Sequence, residues 1–411
     1  MRVYLLALFL LFAAPAISQR KAVFIIVDGI PADVIEKLRP PVLQEIAGAE
    51  GYTRAYVGGK KGGYSESPTI SAVGYNHVLT GTWTNKHNVW DNDIKEPNYH
   101  YQNMFRIASE ANKNLTTAVF STWLDNRTKL VGDSLPSAGN IHITYAFDGY
   151  ELDTVRFPNR KGSKYISDID DLVTEEAAKT IETKAPDLSW VYLEFTDDMG
   201  HAYGDSPQFY DAIKAADARI GKIWKAVQAR EKQYGEEWLV VITTDHGRTA
   251  IDGKGHGGQS DRERTTWIVT NAKNTNAHFK SLPGATDIAP TILRHLNITI
   301  KDEVKAEMDG IPFIGKVAVD NFQATRKGSD INLTWTKVAG ASGKADIYVT
   351  SGNNFKTGGK DEYRKVASVD IQSEAATFKL PAPTAGSADN RIQKVVLKTA
   401  DNWCNTWVVG D

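Results

Sequence analysis

Residues 238–247 read Trp238-Leu239-Val240-Val241-Ile242-Thr243-Thr244-Asp245-His246-Gly247. An apolar run of strand length stops abruptly at an acid, an imidazole and a glycine. A strand buried on both faces reads as a continuous apolar run, and in α/β sheets ligands gather beyond the carboxyl ends of the strands. The run therefore predicts a central strand of a buried sheet, with Asp245 and His246 side by side at its rim. An anionic oxygen beside an imidazole nitrogen is a donor mixture that zinc accepts.

The same pattern recurs upstream. Val23-Phe24-Ile25-Ile26-Val27 ends at Asp28-Gly29, residues 117–120 form another apolar run, and residues 190–194 lead into Thr196-Asp197-Asp198-Met199-Gly200-His201. After Ser206-Pro207 comes the clearest helical pattern, with Phe209, Ile213, Ala216, Ile220, Trp224 and Val227 at steps of three and four. Ser206 is its expected N-cap and Pro207 its first helical residue. Residues 287–293 begin a late helix. Strands alternating with amphipathic helices predict an α/β domain, a mainly parallel sheet flanked by helices, over residues 19–315. Beyond Gly315 the chain changes to short strand candidates at 333–335, 345–349, 376–380 and 394–397, separated by turns rich in glycine, serine and asparagine. That predicts a C-terminal β-sandwich domain of fibronectin or immunoglobulin type over residues 316–411.

A chain of 411 residues with 41 % apolar and 24 % charged residues has room for two or three domains and a large core. A formal net charge of −2 argues against an extended footprint for a nucleic-acid duplex. Arg2, the apolar stretch 4–14 and the small residues Ala16-Ile17-Ser18 read as a secretory signal peptide over residues 1–18, which implies a secreted or periplasmic protein. That stretch is too short to span a membrane comfortably, and the sequence holds no other transmembrane segment. Cys404 is the sole cysteine, so no intrachain disulfide and no thiolate cluster can form. Any metal must then be held by carboxylates, imidazoles and hydroxyls.

Such donors fall at the strand ends. Asp28 ends the first strand, Asp197 and His201 follow another four residues apart, Asp245 and His246 end a third, and His256 lies in Gly255-His256-Gly257-Gly258. Three carboxylates, three imidazoles and one hydroxyl would supply two zinc sites sharing a substrate oxygen. Ser71 offers the hydroxyl at the start of a helix that Gly81 closes, where the dipole favours an alkoxide or a phosphate. Thr69, Ser67 and Ser65 are competing hydroxyls. His77 and His87 read as packing residues, Asp198 as a solvated carboxylate, and Arg262-Glu263-Arg264 as an exposed charge run. Of the aromatics Tyr64, Trp83 and Trp90, each reads as core before it reads as a pocket wall.

Taken together, Pro68-Thr69-Ile70-Ser71, Thr80-Gly81, Asp91-Asn92, Asp197 to His201 followed by Tyr203-Gly204, Asp245-His246-Gly247 and Gly255-His256-Gly257 stand in a familiar order. The chain resembles the alkaline phosphatase superfamily, and within it the type I phosphodiesterase/nucleotide pyrophosphatase branch. The resemblance implies that Ser71 stands where that family has its nucleophilic threonine, and that Asn92 holds a phosphoryl oxygen. It implies one zinc on Asp28, Ser71, Asp245 and His246, and a second on Asp197, His201 and His256. The implied activity is an exported two-zinc phosphoric ester hydrolase, a phosphodiesterase using a phosphoseryl intermediate on a small-molecule phosphate ester. Two departures point elsewhere. Ala72 replaces an aromatic that nucleotide-handling members place after the nucleophile, and serine is the choice of the monoesterase branch, which makes a phosphomonoesterase the alternative. The short spacing from His246 to His256 implies a missing insertion and a more open pocket. A sulfatase would need an arginine that Ser65-Glu66-Ser67-Pro68-Thr69-Ile70 lacks. The most distant alternative is an inert surface-binding protein, with surface or glycan contact through the C-terminal domain.

Overall fold

The apolar runs named above are inner strands of one sheet in the computed structural model, which describes residues 19–159, 162–379 and 392–409. The expected signal peptide, residues 1–18, lies outside the described residues. The sheet's seven strands are β1 (Arg20–Val27), β2 (Tyr52–Tyr56), β3 (Thr117–Ser121), β4 (Tyr145–Phe147), β5 (Leu188–Leu193), β6 (Glu237–Thr243) and β7 (Thr265–Thr270). They lie in the order β2-β7-β6-β1-β5-β3-β4. The block β6-β1-β5-β3-β4 is parallel, and β7 pairs antiparallel with both β6 and β2. The expected α/β architecture with a mainly parallel sheet is the one that forms.

β1 shows why this sequence is a central strand. Ala22, Phe24 and Ile26 enter the core on one face, Val23, Ile25 and Val27 the core on the other, and all six are buried. Alternate side chains leave a strand on opposite faces, so a continuous apolar run is the signature of a strand covered twice. One cover includes the Ser71–Thr80 and Ile288–His295 helices, the other the Lys164–Lys184 and Pro207–Tyr234 helices. The last of these starts as the sequence requires: the Ser206 hydroxyl accepts from the Phe209 N–H, and Pro207 is the first helical residue. Among the described residues no helix is long and apolar enough to cross a membrane.

The C-terminal strands are β8 (Val319–Lys327), β9 (Asp330–Lys337), β10 (Lys344–Thr350), β11 (Arg364–Asp370), β12 (Ala375–Lys379), β13 (Ile392–Lys398) and β14 (Trp403–Val409). They form two antiparallel sheets, β11-β10-β13-β14 and β12-β9-β8, around a core of their own that includes Val319, Leu333, Ile347 and Val395. Buried charges tie these sheets to the α/β unit. Lys86 reaches Asp309 at 2.6 Å and the Asn405 side chain at 2.9 Å, and Lys394 reaches Glu307 at 2.7 Å and Asp361 at 2.8 Å. His278 bridges Asp287, at the head of the Ile288–His295 helix, and Asp320 in β8, at 2.8 and 2.9 Å. Both of its nitrogens face carboxylates, so it stands as an imidazolium.

Burial pulls the His278 imidazole down, but the charges and hydrogen bonds of Asp287 and Asp320 outweigh it and raise it to about 10. An unfolded histidine titrates at about 6.5. The bridge therefore stabilises fully below that pH, and its contribution is lost as pH rises through about 10. His278→Gln is expected to cost on the order of 3–5 kcal/mol at pH 6. Urea unfolding of wild type and variant should converge at pH values beyond the imidazole's titration; an equal difference at both pH values would refute the charged bridge.

Candidate metal centre

Asp28, Asp245 and His246 lie just past the carboxyl ends of β1 and β6, and Asp197 and His201 on the Phe195–Tyr203 helix that follows β5. These three strands are neighbours in the sheet. Parallel packing thus delivers donors as far apart in sequence as Asp28 and His246 to one edge.

Two groups form. In the first, His246 Nε2 stands 3.4 Å from Asp28 Oδ1, 3.2 Å from Asp245 Oδ2 and 3.4 Å from Ser71 Oγ. His246 Nδ1 lies 2.9 Å from the Gly247 carbonyl, which requires the proton on Nδ1 and leaves the Nε2 lone pair facing the carboxylates. Asp28 Oδ1 and Asp245 Oδ2 are buried without a hydrogen-bond partner. Their other oxygens are occupied: Tyr75 and Tyr192 donate to Asp28 Oδ2, and the Gly29 N–H donates to Asp245 Oδ1 at 3.0 Å.

In the second group, His201 Nε2 lies 3.2 Å from Asp197 Oδ2 and 3.1 Å from His256 Nε2. His256 Nδ1 is set against the Thr69 carbonyl at 2.9 Å, so its Nε2 lone pair also points inward. The His246 and His256 rings stack at 3.7 Å between centroids, which places the groups side by side. Asp197 is shared, since Asp28, Asp197 and His246 also offer atoms within 4.8 Å of one another.

Buried carboxylate oxygens and imidazole lone pairs facing one another repel unless a cation lies between them. The electrostatics show that repulsion. Burial, then the charges of Asp245 and Asp197, push Asp28 well above the usual carboxylate range. Asp245 is raised to about 7, chiefly by burial. Burial also holds the His246 and His256 imidazoles below their ordinary value, which keeps them neutral as metal ligands must be. This donor set fits divalent cations. Oxygen and nitrogen donors, with no thiolate, suit zinc.

The rival hydroxyls are engaged elsewhere. Thr69 Oγ1 donates to the Gly258 carbonyl and accepts from the Gly257 N–H, Ser67 Oγ donates to the Ser65 carbonyl, and Ser65 Oγ accepts from the Lys60 N–H. Ser71 begins the Ser71–Thr80 helix, and Gly81 ends it in the left-handed conformation. Gly74 lets that helix lie against the β6 end, because a Cβ there would come 2.5 Å from the Asp245 carbonyl oxygen. Asn92 Oδ1 accepts from the Ala72 N–H at 2.9 Å, which fixes the Asn92 amide beside the helix start that carries Ser71. His77 and His87 are buried, and their hydrogen-bond partners are Thr84 and the Val89 N–H, not members of either group.

Several residues here escape sequence reasoning. Arg248 is fully buried and donates to the Asp197 carboxylate, to the Asp197 carbonyl at 2.9 Å, to the Gly29 carbonyl at 2.8 Å and to the Lys254 carbonyl at 2.9 Å. One guanidinium thus links the segments after β1, β5 and β6 and the loop that leads to His256. Burial alone would raise Asp197, but the His201 hydrogen bond and the Arg248 charge outweigh it and hold it low. Gly200 makes room for this side chain, since a Cβ there would lie 2.2 Å from Arg248 Cζ. Asp170 accepts from the Glu194 and Phe195 N–H groups, each at 3.1 Å, and so anchors the start of the helix bearing Asp197 and His201. Glu263, read as exposed, is buried and accepts from the Gly258 and Ser260 N–H groups, bracing the turn after His256. Asp198 is half-buried rather than solvated, and Tyr64 and Trp90 are exposed while Trp83 is core.

The family model described as "Type I phosphodiesterase / nucleotide pyrophosphatase" matches residues 22–370. Among solved structures, a putative sulfatase from Bacteroides thetaiotaomicron is 11 % identical and covers 88 % of this chain and 85 % of its own, with a TM-score of 0.51. Murine ectonucleotide pyrophosphatase/phosphodiesterase 5 is 14 % identical over 68 % of this chain and 95 % of its own, with a TM-score of 0.46. TAB5 alkaline phosphatase is 13 % identical over 69 % of this chain and 99 % of its own, with a TM-score of 0.43. At these identities the solved structures speak to the fold alone, and the family rests on the match over residues 22–370.

Arg248→Met leaves one Asp197 oxygen without its buried partner. Metal is expected to leave the Asp197, His201 and His256 group first, with affinity there lowered by about tenfold or more. Elemental analysis after dialysis against graded chelator checks this; a variant that retains metal as wild type does would remove Arg248 from the role.

Proposed function

The chain belongs to the type I phosphodiesterase/nucleotide pyrophosphatase family, in the alkaline phosphatase superfamily, and on that premise we propose an exported two-zinc phosphodiesterase that works through a phosphoseryl intermediate. The observation that carries this reading is the meeting of two orphaned carboxylate oxygens and the Ser71 hydroxyl around one imidazole nitrogen, His246 Nε2. Asp28, Ser71, Asp245 and His246 would hold one zinc, and Asp197, His201 and His256 the other. Bound there, the metals would supply Lewis-acid stabilisation to the attacking and leaving oxygens.

The chain's own residues perform the rest. Ser71 Oγ attacks phosphorus, forming an ester to the chain as the bond to the alcohol oxygen breaks. Its place at a helix N-terminus favours negative charge on the reacting oxygens. Asn92, its own oxygen committed to the Ala72 N–H, keeps its amide hydrogens for a non-bridging phosphoryl oxygen. Water then hydrolyses the seryl ester and restores the hydroxyl. The C-terminal sheets we read as a separate module beginning near residue 316, with a role in surface or glycan contact. A monoesterase remains the second reading, favoured by serine at position 71 and by the buried Ala72, which offers no ring to a nucleobase.

Ser71→Ala is expected to abolish turnover while metal still binds, and Thr69→Ala to leave a working nucleophile. Full activity in Ser71→Ala would move the nucleophile elsewhere. Elemental analysis should find about two zinc ions per chain. Faster turnover of bis-p-nitrophenyl phosphate than of p-nitrophenyl phosphate supports the diesterase, and the reverse order supports the monoesterase.

A further inference from the structure

Where the C-terminal sheets meet the α/β unit, a cleft of about 1020 Å³ stays open. One wall carries the glycine-rich loop 59–65, Trp83 and Arg264, and the other carries residues of β8 and β14. Its charges do not balance. Asp309 is paired with Lys86, Asp287 and Asp320 share the His278 imidazolium, and Arg54 is paired with Glu36. Lys60, Lys61, Arg264 and Arg326 have no carboxylate partner among the described residues. Arg264 donates only to the Gly58 and Gly59 carbonyls and the Gln259 side chain, and Arg326 to the Gly328 carbonyl, which leaves both charges uncompensated. Against these four cations stand Asp261 and the one negative charge by which Asp287 and Asp320 together exceed His278, so the lining stays net positive.

The neutral lining narrows the ligand. Asn85, Gln323, Thr325 and Thr406 bring amides and hydroxyls whose side chains are not engaged in hydrogen bonds among the described residues. The tryptophan rings are occupied: Trp407 stacks on Tyr64 at 5.6 Å with the Lys86 and Lys394 ammoniums 5.1 and 4.8 Å from its centre, and Trp83 packs on Tyr56 at 5.4 Å and His77 at 4.8 Å. Single-stranded nucleic acid is held by bases stacked on open aromatic faces, which these tryptophans do not offer. A bilayer is too flat to enter such a cleft, and its volume suits a ligand of a few sugar-sized units.

We propose that this cleft binds an acidic oligosaccharide. Its carboxylates or sulfates pair with Lys60, Lys61 and Arg264 on one wall and Arg326 on the other, and its ring hydroxyls meet the free amides and hydroxyls. The proposal rests on the reading of the C-terminal sheets as a glycan-contacting module and is independent of the reading of the metal centre.

Calorimetric titration of the signal-free chain with a heparin hexasaccharide and with an oligogalacturonate supplies the test, with oligothymidylate and anionic vesicles as competitors. Saturable binding of at least one oligosaccharide is expected, weakening as salt rises. Lys60→Glu/Lys61→Glu on one wall and Arg326→Glu on the other should each reduce affinity by about tenfold or more. The neutral pair Lys60→Gln/Lys61→Gln should give a smaller loss in the same direction, and hydrolysis of bis-p-nitrophenyl phosphate should not change. Absence of binding by both oligosaccharides, affinity untouched by reversing either wall, or displacement by oligothymidylate at equal concentration would overturn the proposal.

Discussion

Asp28, Asp197 and Asp245 bring their carboxylates together where water is excluded, and the surrounding structure is organised around how each one divides its two oxygens. One oxygen of each is tied to the protein: Asp28 to Tyr75 and Tyr192, Asp245 to the Gly29 N–H, and Asp197 to Arg248. The other is turned inward, toward His246 for Asp28 and Asp245 and toward His201 for Asp197. Left so, the inward oxygens repel each other at a cost that burial multiplies. Only a rigid support can hold such an arrangement, and adjacent parallel strands covered on both faces are rigid. The raised positions of Asp28 and Asp245 record the strain that a bound dication would relieve.

That division of oxygens also explains residues that never touch the inward-facing atoms. Tyr75 lies four positions after Ser71 on the same helix, so the hydroxyl and the group that orients Asp28 share one helical face. Arg248 needs space on two sides, which glycine provides at positions 29 and 200; a Cβ on Gly29 would stand 2.6 Å from its Nη2. Asp170 fixes the helix carrying Asp197 and His201 through backbone amides rather than through its side chains. The positions of these carboxylates are therefore set by hydrogen bonds to neighbours as much as by the strands that carry them.

The parts legible in the sequence were those with a strong period or a strong boundary. Continuous apolar runs at 23–27 and 238–242 read as doubly covered strands and are, and the acid after each falls at the one sheet edge where the carboxylates gather. Ser206-Pro207 marked a helix start that the backbone honours. β2, β4 and β7 were harder, because short strands in the outer part of a sheet carry little period, and β2 mixes Arg54 into its run. Arg248 was hidden for another reason. A lone arginine is ordinarily a surface residue, and only the fold reveals that the Gly29, Asp197 and Lys254 carbonyls converge on it. Glu263 was masked likewise by its charged neighbours, although Ser260 three positions before it spells a capping box.

The C-terminal sheets are joined to the α/β unit by more than a linker. Lys86, Lys394 and His278 are each buried between groups from the two sides of that junction or its connecting segment, and the family match continues through residue 370, past β10 and into β11. Pulling the sheets away would strand buried charges without partners, which is far more costly than exposing the same area of apolar surface. The cleft between them accordingly has walls of fixed spacing, and its unpaired cations sit at a set distance across it. The loop bearing Lys60 and Lys61 continues directly to Ser67 and Thr69, whose carbonyl and hydroxyl groups hold the Gly257, Gly258 and Gln259 turn next to His256. The loop that lines the cleft and the turn beside His256 are therefore joined through Ser67 and Thr69, while the side chains of Lys60 and Lys61 stand clear of those hydrogen bonds.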